Sequence, residues 1–186
     1  MAKNENPISA QPSLVGKTVY LRPETADDVL NHHYWFTQSE PSSMTVHPLP
    51  FMSAADVAER FKKSEKSPYK QAFAIVSKKS KNPVGKVSFF NYNDVNRSAE
   101  MGILVDPDER KHGYGEEAMK LLINYLFQFR NLNKVYAETA EFNHGTVALL
   151  ETLGFKRDGI LRQHHYFDGD YHNKFVYSLL RFEVDW

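Results

Sequence analysis

The chain contains no cysteine, which removes disulfides, thiolate metal sites and a cysteine nucleophile from its chemistry. No apolar run approaches the roughly 20 residues that span a bilayer, so membrane insertion is not expected. Residues Met1 to Gln11 are polar and hold no apolar signal core; nothing there directs secretion, and a cytoplasmic location is the expectation. Net charge is missing too. The 23 Lys and Arg balance 23 Asp and Glu, so no global field draws the chain to nucleic acid or an anionic membrane. Hydrophobic residues at 41% and charged residues at 25% match an ordinary globular protein. A length of 186 residues suits one domain, expected over residues 15–186 behind a flexible leader at residues 1–14.

Periodicity divides the rest into strands and helices, with no internal repeat or low-complexity tract. Lys17 to Arg22 alternates as a strand does, and Pro23 stops it. Thr25-Ala26-Asp27-Asp28 and Ser53-Ala54-Ala55-Asp56 each place a capping hydroxyl ahead of acids suited to a first turn. Helices follow from Ala26 to about Phe36 and from Ala54 into a Lys-rich segment. Thr37 to Met52 between them contains three prolines and reads as loop. Ala72 to Val76 and Val84 to Phe90 flank Lys81-Asn82-Pro83 as a hairpin. In the next strand, Ala99 to Val105, the period of two puts Glu100, Gly102 and Leu104 on one face.

Asp106-Pro107 closes that strand, and a long helix begins near Gly115. Ala118, Leu121, Leu122, Tyr125, Leu126 and Phe129 form its expected inward stripe, with Lys120, Asn124 and Gln128 outward. Lys134 to Ala140 is a further strand, and Asn143 can cap a helix that ends at Gly154. Leu161 to Phe167 and Tyr171 to Leu180 make a terminal hairpin through Asp168-Gly169. The expected fold class is α/β, a mixed sheet flanked by helices.

Arg110-Lys111-His112-Gly113-Tyr114-Gly115 stands between the strand ending at Val105 and the long helix. A glycine-containing loop opening a helix presents unpaired N–H groups at the positive end of the helix dipole, which suits a phosphate. Gly113 and Gly115 permit close backbone approach, and Arg110, Lys111 and His112 add positive charge. Neither the nucleotide-triphosphate loop nor the three-glycine dinucleotide fingerprint fits. A polar helix-entry loop without a ligand is the alternative on this segment alone.

The segment resembles the Arg/Gln-x-x-Gly-x-Gly/Ala signature of the Gcn5-related N-acetyltransferase (GNAT) superfamily, met by Arg110, Gly113 and Gly115. The likeness covers about residues 17 to 182 and is similar to the RimJ/RimL-type branch, which includes ribosomal-protein N-terminal acetyltransferases and resembles spermidine acetyltransferases. Ala99-Glu100-Met101-Gly102, Asn143, Leu153-Gly154-Phe155 and Tyr166-Phe167-Asp168-Gly169 carry it in the right order. The resemblance implies an acyl-CoA N-acyltransferase fold in which a parallel pair, Glu100 to Val105 and Val135 to Ala140, splays to admit acetyl-CoA as co-substrate. Backbone groups of Ile103 and Val105 would then pair with the pantetheine arm, and Arg110, Lys111, His112, Gly113, Tyr114, Gly115 and Glu116 would wrap the pyrophosphate. Asn143 would contact the arm, unless it simply caps its helix.

An alkylammonium acceptor has a pKa near 10, so only about one part in a thousand is neutral at pH 7 and a base helps. Glu100 is the candidate, because it stands beside the implied thioester and relatives of the RimJ/RimL type can carry a base at the matching glutamate. A solvent-facing Glu100 without a chemical part is the plain alternative. Many relatives protonate the leaving thiolate with a tyrosine seven residues past the matching asparagine, where this chain has Leu150. Thr146 matches a serine of some RimL-like proteins and is a candidate to bind the sulfur or a water; otherwise it is a hydroxyl in a first helical turn.

Eight histidines include the neighbours His32-His33 and His164-His165, but adjacent residues point to different sides, so no metal site is expected. His47, His164 and His172 fall in segments that line the acceptor side in the resembled family. Lys62, Lys63, Lys66, Lys70, Lys78, Lys79 and Lys81 read as a solvated helix and turn rather than a nucleic-acid face. Tyr34, Trp35, Phe36 and Phe51 surround the loop expected over the acceptor mouth. The expected function is acetyl transfer to a primary amine by direct attack in a ternary complex. The acceptor is a protein N-terminus, a polyamine, an amino sugar or another small amine, and a homodimer is one candidate assembly. Glu24, Asp27, Asp28 and Glu40 would serve a polyamine if folding gathers them. A catalytically weak acyl-CoA sensor that lost the tyrosine is the alternative.

Overall fold

The computed structural model describes residues 14–38, 52–63 and 67–186. The expected leader lies outside the described residues except for Leu14, and so do Glu40, His47, Phe51 and Lys66. Eight strands form one sheet: β1 (Leu14–Val15), β2 (Val19–Pro23), β3 (Gln71–Ser77), β4 (Pro83–Asn93), β5 (Ser98–Val105), β6 (Lys134–Ala140), β7 (Lys156–Phe167) and β8 (Asp170–Leu180). Their order is β1-β2-β3-β4-β5-β6-β8-β7. Every neighbouring pair is antiparallel except β5 and β6. Parallel strands need a long crossover, supplied here by helix α3 (Tyr114–Asn124). At the terminal hairpin Asp168 and Gly169 both take positive φ, 49° and 88°, the backbone that a two-residue turn between twisted strands requires.

Alternation along the strands sends Val19 and Leu21, Phe73 and Ile75, Val87 and Phe89, Ala99 and Met101, and Val135 and Ala137 to one face. They are buried there with Ala118, Met119, Leu122 and Ile123 of α3 and Leu150 of α4 (His144–Thr152). Each Leu, Ile or Phe so enclosed contributes about 1.5–3 kcal/mol.

The opposite face carries α1 (Ala26–Gln38), with α2 (Ala54–Lys63) packed against it. Arg22 of β2 reaches α1 and grips Asp28 with two bonds, Nη1 to Oδ2 at 2.5 Å and Nη2 to Oδ1 at 2.9 Å. Thr25 donates to the same carboxylate from its backbone at 2.7 Å and its hydroxyl at 2.8 Å, and that hydroxyl accepts from Asp28 N at 3.4 Å. This is the capping arrangement expected of Thr25. Burial pushes the Asp28 carboxyl up, but the bonds from Arg22 and Thr25 outweigh it and hold the group below the usual carboxylate range.

The inward stripe of the long helix fails at its end. A π-helical turn spans Tyr125–Phe129, closed by Arg130 N donating to Tyr125 O at 3.2 Å. The wider turn inserts a residue into the period, so Phe129 swings out to 77% exposure while Phe127 takes the buried position. Leu121 and Tyr125 are only half-buried.

Candidate active site

Toward β8, strand β6 is paired at every residue from Lys134↔Leu180 to Ala140↔Lys174. Toward β5 the pairs are Ser98↔Lys134, Ala99↔Val135 and Glu100↔Tyr136. Beyond Glu100 the strands part, although β5 runs on to Val105 and β6 to Ala140. Asp106 N donates to Val84 O at 3.0 Å, and the Leu104 carbonyl lies against Gly85. Even-numbered residues here therefore turn their backbone groups to β4, and alternation aims those of Ile103 and Val105 into the gap. Backbone polar groups call for partners. The slot thus suits an extended ligand with amides of its own, as an acyl-CoA arm has.

The N-termini of α3 and α4 stand at the C-terminal ends of these two strands, where open α/β sheets hold ligands. Asp106 closes β5 and caps a 3-10 turn over Pro107–Glu109, its Oδ1 accepting from Asp108 N at 3.1 Å. Lys111 and Gly113 then take positive φ, 65° and 79°. Gly113 is the N-cap of α3 and has no side chain to offer its first amides, so those amides are open to an anion. Lys111, His112 and Gly113 are exposed, and the His112 ring stacks on Tyr114 at 5.6 Å. The Glu116 carboxylate pairs with Lys120 at 2.9 Å. Gly115 has a packing role: a Cβ there would stand 3.2 Å from Ile103 Cδ1 and 3.3 Å from Val105 Cγ2, so its absence seats α3 on β5. Open amides, adjacent cations and a backbone-lined slot fit a diphosphate joined to an amide-bearing arm.

Glu100 sits where the slot closes. It is half-buried, and its Oε2 accepts from Asn91 Nδ2 at 2.8 Å. Tyr136 stands opposite; burial first, then the charges of Glu100 and Glu138, push its phenol above the ordinary value, with a hydrogen bond to Asn91 acting the other way. Glu138 is ion-paired at 2.5 Å with the buried Lys174. Nothing in the sequence singles out Asn91, Tyr136, Glu138 or Lys174, which meet only through strand register. Aligning the two strands of the expected parallel pair end to end sets Val135 opposite Glu100; the observed register is one residue on, and brings Tyr136 there instead.

Asn143 Oδ1 accepts from Thr146 N at 3.1 Å, so Asn143 caps α4 and fixes Thr146 in its first turn. Leu150 is 1% exposed within the core. Asp28 is committed to Arg22, and Glu24 lies 2.8 Å from His32 Nδ1 and 3.7 Å from Lys86 Nζ. With Asp27 exposed, the described members of the expected polyamine set do not gather as one open site. His164 lines an open groove of about 750 Å³ along β7 with Leu161 and Arg162, apart from His172. Among the described residues no group of three or more His, Asp or Glu is placed to hold a metal. No described helix is long and apolar enough to cross a membrane.

Comparison with known proteins adds to this geometry. Residues 18–156 match the family described as acetyltransferase (GNAT) domain. The spermidine N(1)-acetyltransferase of Vibrio cholerae is 28% identical over 138 residues, which cover 74% of this chain and 73% of that one. The putative ribosomal N-acetyltransferase YdaF of Bacillus subtilis is 34% identical over 99 residues, 53% of this chain and 54% of that one. The crystal structure of Vibrio cholerae spermidine N-acetyltransferase in complex with CoA and spermine matches with a TM-score of 0.82 at 24% identity. It covers 90% of this chain and 98% of the other, a likeness of fold.

Proposed function

The chain belongs to the GNAT acetyltransferase family and is an acetyl-CoA-dependent N-acetyltransferase, and from that premise we propose that it acetylates a primary amine by direct attack in the β5–β6 slot with Glu100 as general base. The observation that carries this reading is the parting of the two strands at Glu100↔Tyr136. It leaves a carboxylate at the closed end of a backbone-lined slot whose open end holds the uncapped amides of α3.

Acetyl-CoA, when bound, supplies the activated acyl group. Ile103 and Val105 pair with its arm, and Arg110, Lys111, His112, Gly113, Tyr114, Gly115 and Glu116 surround its diphosphate. Asn143 and Thr146 border the arm from the start of α4. Glu100 takes the proton of the ammonium, which frees the lone pair for attack, while Asn91 holds the carboxylate in place. The departing thiolate has a conjugate acid near pKa 8.5 and needs only a weak donor, so a buried Leu150 is tolerable there. No covalent carrier on the protein is required.

The test is an acceptor screen with acetyl-CoA that reads product mass together with free thiol. Polyamines are the first amines to try, given the relatives named for spermidine. Acetylated product from at least one primary amine is the expected result. Tight cofactor binding with no turnover on any amine would make the chain an acyl-CoA sensor instead.

A further inference from the structure

Lys174 on β8 carries an ammonium group at only 7% exposure, and the transfer chemistry above does not use it. It lies 2.5 Å from Glu138 Oε2. Register fixes where this pair stands. Lys174 is opposite Ala140 on β6, and Ala140, Glu138 and Tyr136 share a face with Glu100. Carrying the Glu100↔Tyr136 register past the point where the strands part sets Gly102 across the gap from Glu138. Gly102 offers no side chain there, and a Cβ would stand 3.2 Å from Ser88 Oγ and 3.3 Å from Phe90 Cε1. Glu138 and Lys174 therefore border this face of the gap at that level.

The sulfur of a bound acyl-CoA falls at the same level. Two methylene groups separate the last amide of the arm from its sulfur, about the rise of one strand residue. With that amide paired to Ile103 and the arm running from α3 towards Glu100, the sulfur comes beside Gly102. Cleavage of the thioester leaves both electrons of the C–S bond on it. The carboxylates of Glu100 and Glu138 oppose that charge, and Leu150 is buried in the core. An ammonium carries three N–H donors, so pairing with one carboxylate oxygen leaves it able to serve a second anion. Two other groups on this face stand farther off. Lys86 is on β4, beyond β5 from the gap and 3.7 Å from Glu24; His172 is two residues along β8 and 3.9 Å from Glu141.

We propose that Lys174 is a catalytic residue of the transfer, its ammonium group holding the sulfur as the thiolate departs. It rests on the slot between β5 and β6 as the place of the cofactor arm. The acceptor nitrogen's lone pair forms the N–C bond, and the C–S electron pair goes to the sulfur beside Lys174. The nitrogen gives up two protons through Glu100 to solvent and the thiolate takes one from solvent, so each turnover releases one proton. Lys174 stays charged throughout.

The thiol of bound CoA tests this without turnover. It is titrated on the full chain by the carbon-13 NMR shift of the methylene next to the sulfur, with free CoA, near pKa 8.5, as reference. In the wild-type chain the neighbouring ammonium lowers the value by about one pH unit. Lys174→Met returns it to the free value or above and lowers kcat about tenfold, the counterpart of one unit, with KM for acetyl-CoA little changed. Glu138→Gln keeps the lowered value because it removes an opposing charge, whereas a merely structural pair would respond alike to both substitutions. Lys86→Met keeps it too. Lys174→Met combined with Glu138→Gln leaves no lone buried carboxylate and also loses the lowered value, which guards against a folding artefact. A wild-type bound thiol that titrates as free CoA does overturns the proposal and spares the slot, as does a lowered value that survives Lys174→Met. CoA that binds without slowing exchange at the Ile103 and Val105 amides removes the slot, and the part of Lys174 with it.

Discussion

Strand β6 has two edges built from one backbone, and they behave differently. Along β8 it is paired from Lys134 to Ala140; along β5 the pairing ends at Glu100↔Tyr136. The closed edge is backed by the core, where Tyr177 and Leu179 of β8 pack with Val135 and Ala137 of β6. At the open edge, α3 takes the space beside β5. A side chain at Gly115 would meet Ile103 and Val105 of β5 and come within 3.9 Å of Leu149 on α4. Ladder bonds are present where burial reinforces them and given up where a ligand can complete them.

Breaking the open edge chemically should have the largest effect. Glu100→Gln should lower kcat/KM by about 10²–10⁴-fold and flatten the acid limb of the pH profile, with the unfolding midpoint unchanged; unaltered turnover across pH would remove the base role. The closed edge is broken by Leu179→Ala, which should cost about 2–5 kcal/mol in urea unfolding while acetyl-CoA affinity per folded molecule stays the same. Asp28→Asn touches neither edge and should cost about 2–3 kcal/mol by leaving Arg22 without its counter-charge, with only the Pro23 carbonyl and one amide oxygen to accept from it, discounted because Arg22 is partly exposed. Its pH dependence has a definite sign. The Asp28 carboxyl is held below its unfolded value, so its stabilisation is complete above about pH 4 and lost as pH falls through the lower folded value. Wild-type and Asp28→Asn stabilities should therefore converge in acid, and a gap that persists there contradicts the assignment. Phe129→Ser should change stability by less than about 0.5 kcal/mol, since the π turn has put Phe129 outside both regions.

Local signals made much of the fold legible. Alternation in Ala72 to Val76, Ala99 to Val105 and Lys134 to Ala140 reads directly as strand, and Asp168-Gly169 as the turn of a hairpin. The loop from Arg110 to Gly115 was visible for the same reason, because the positive φ of Gly113 and the helix start behind it are local. What stayed hidden depends on residues far apart in the chain. Asn91 reaches Glu100 across the β4–β5 register, Tyr136 faces Glu100 only because two parallel strands align there, and Lys174 meets Glu138 across β6 and β8. Asp28 looked available to a ligand until Arg22, on another element, closed on it. The π turn is a backbone event that side-chain periodicity does not encode.

Hydrogen exchange at the β5 amides, followed by NMR with and without saturating acetyl-CoA, tests the central claim most directly. The amides of Ile103 and Val105 point into the open edge, and they should exchange rapidly in the free protein and slow by about 100-fold at a ligand concentration about 100 times Kd. If both exchange as fast in the complex as in the free protein, with binding confirmed by calorimetry, then the slot between β5 and β6 is not where the cofactor arm lies.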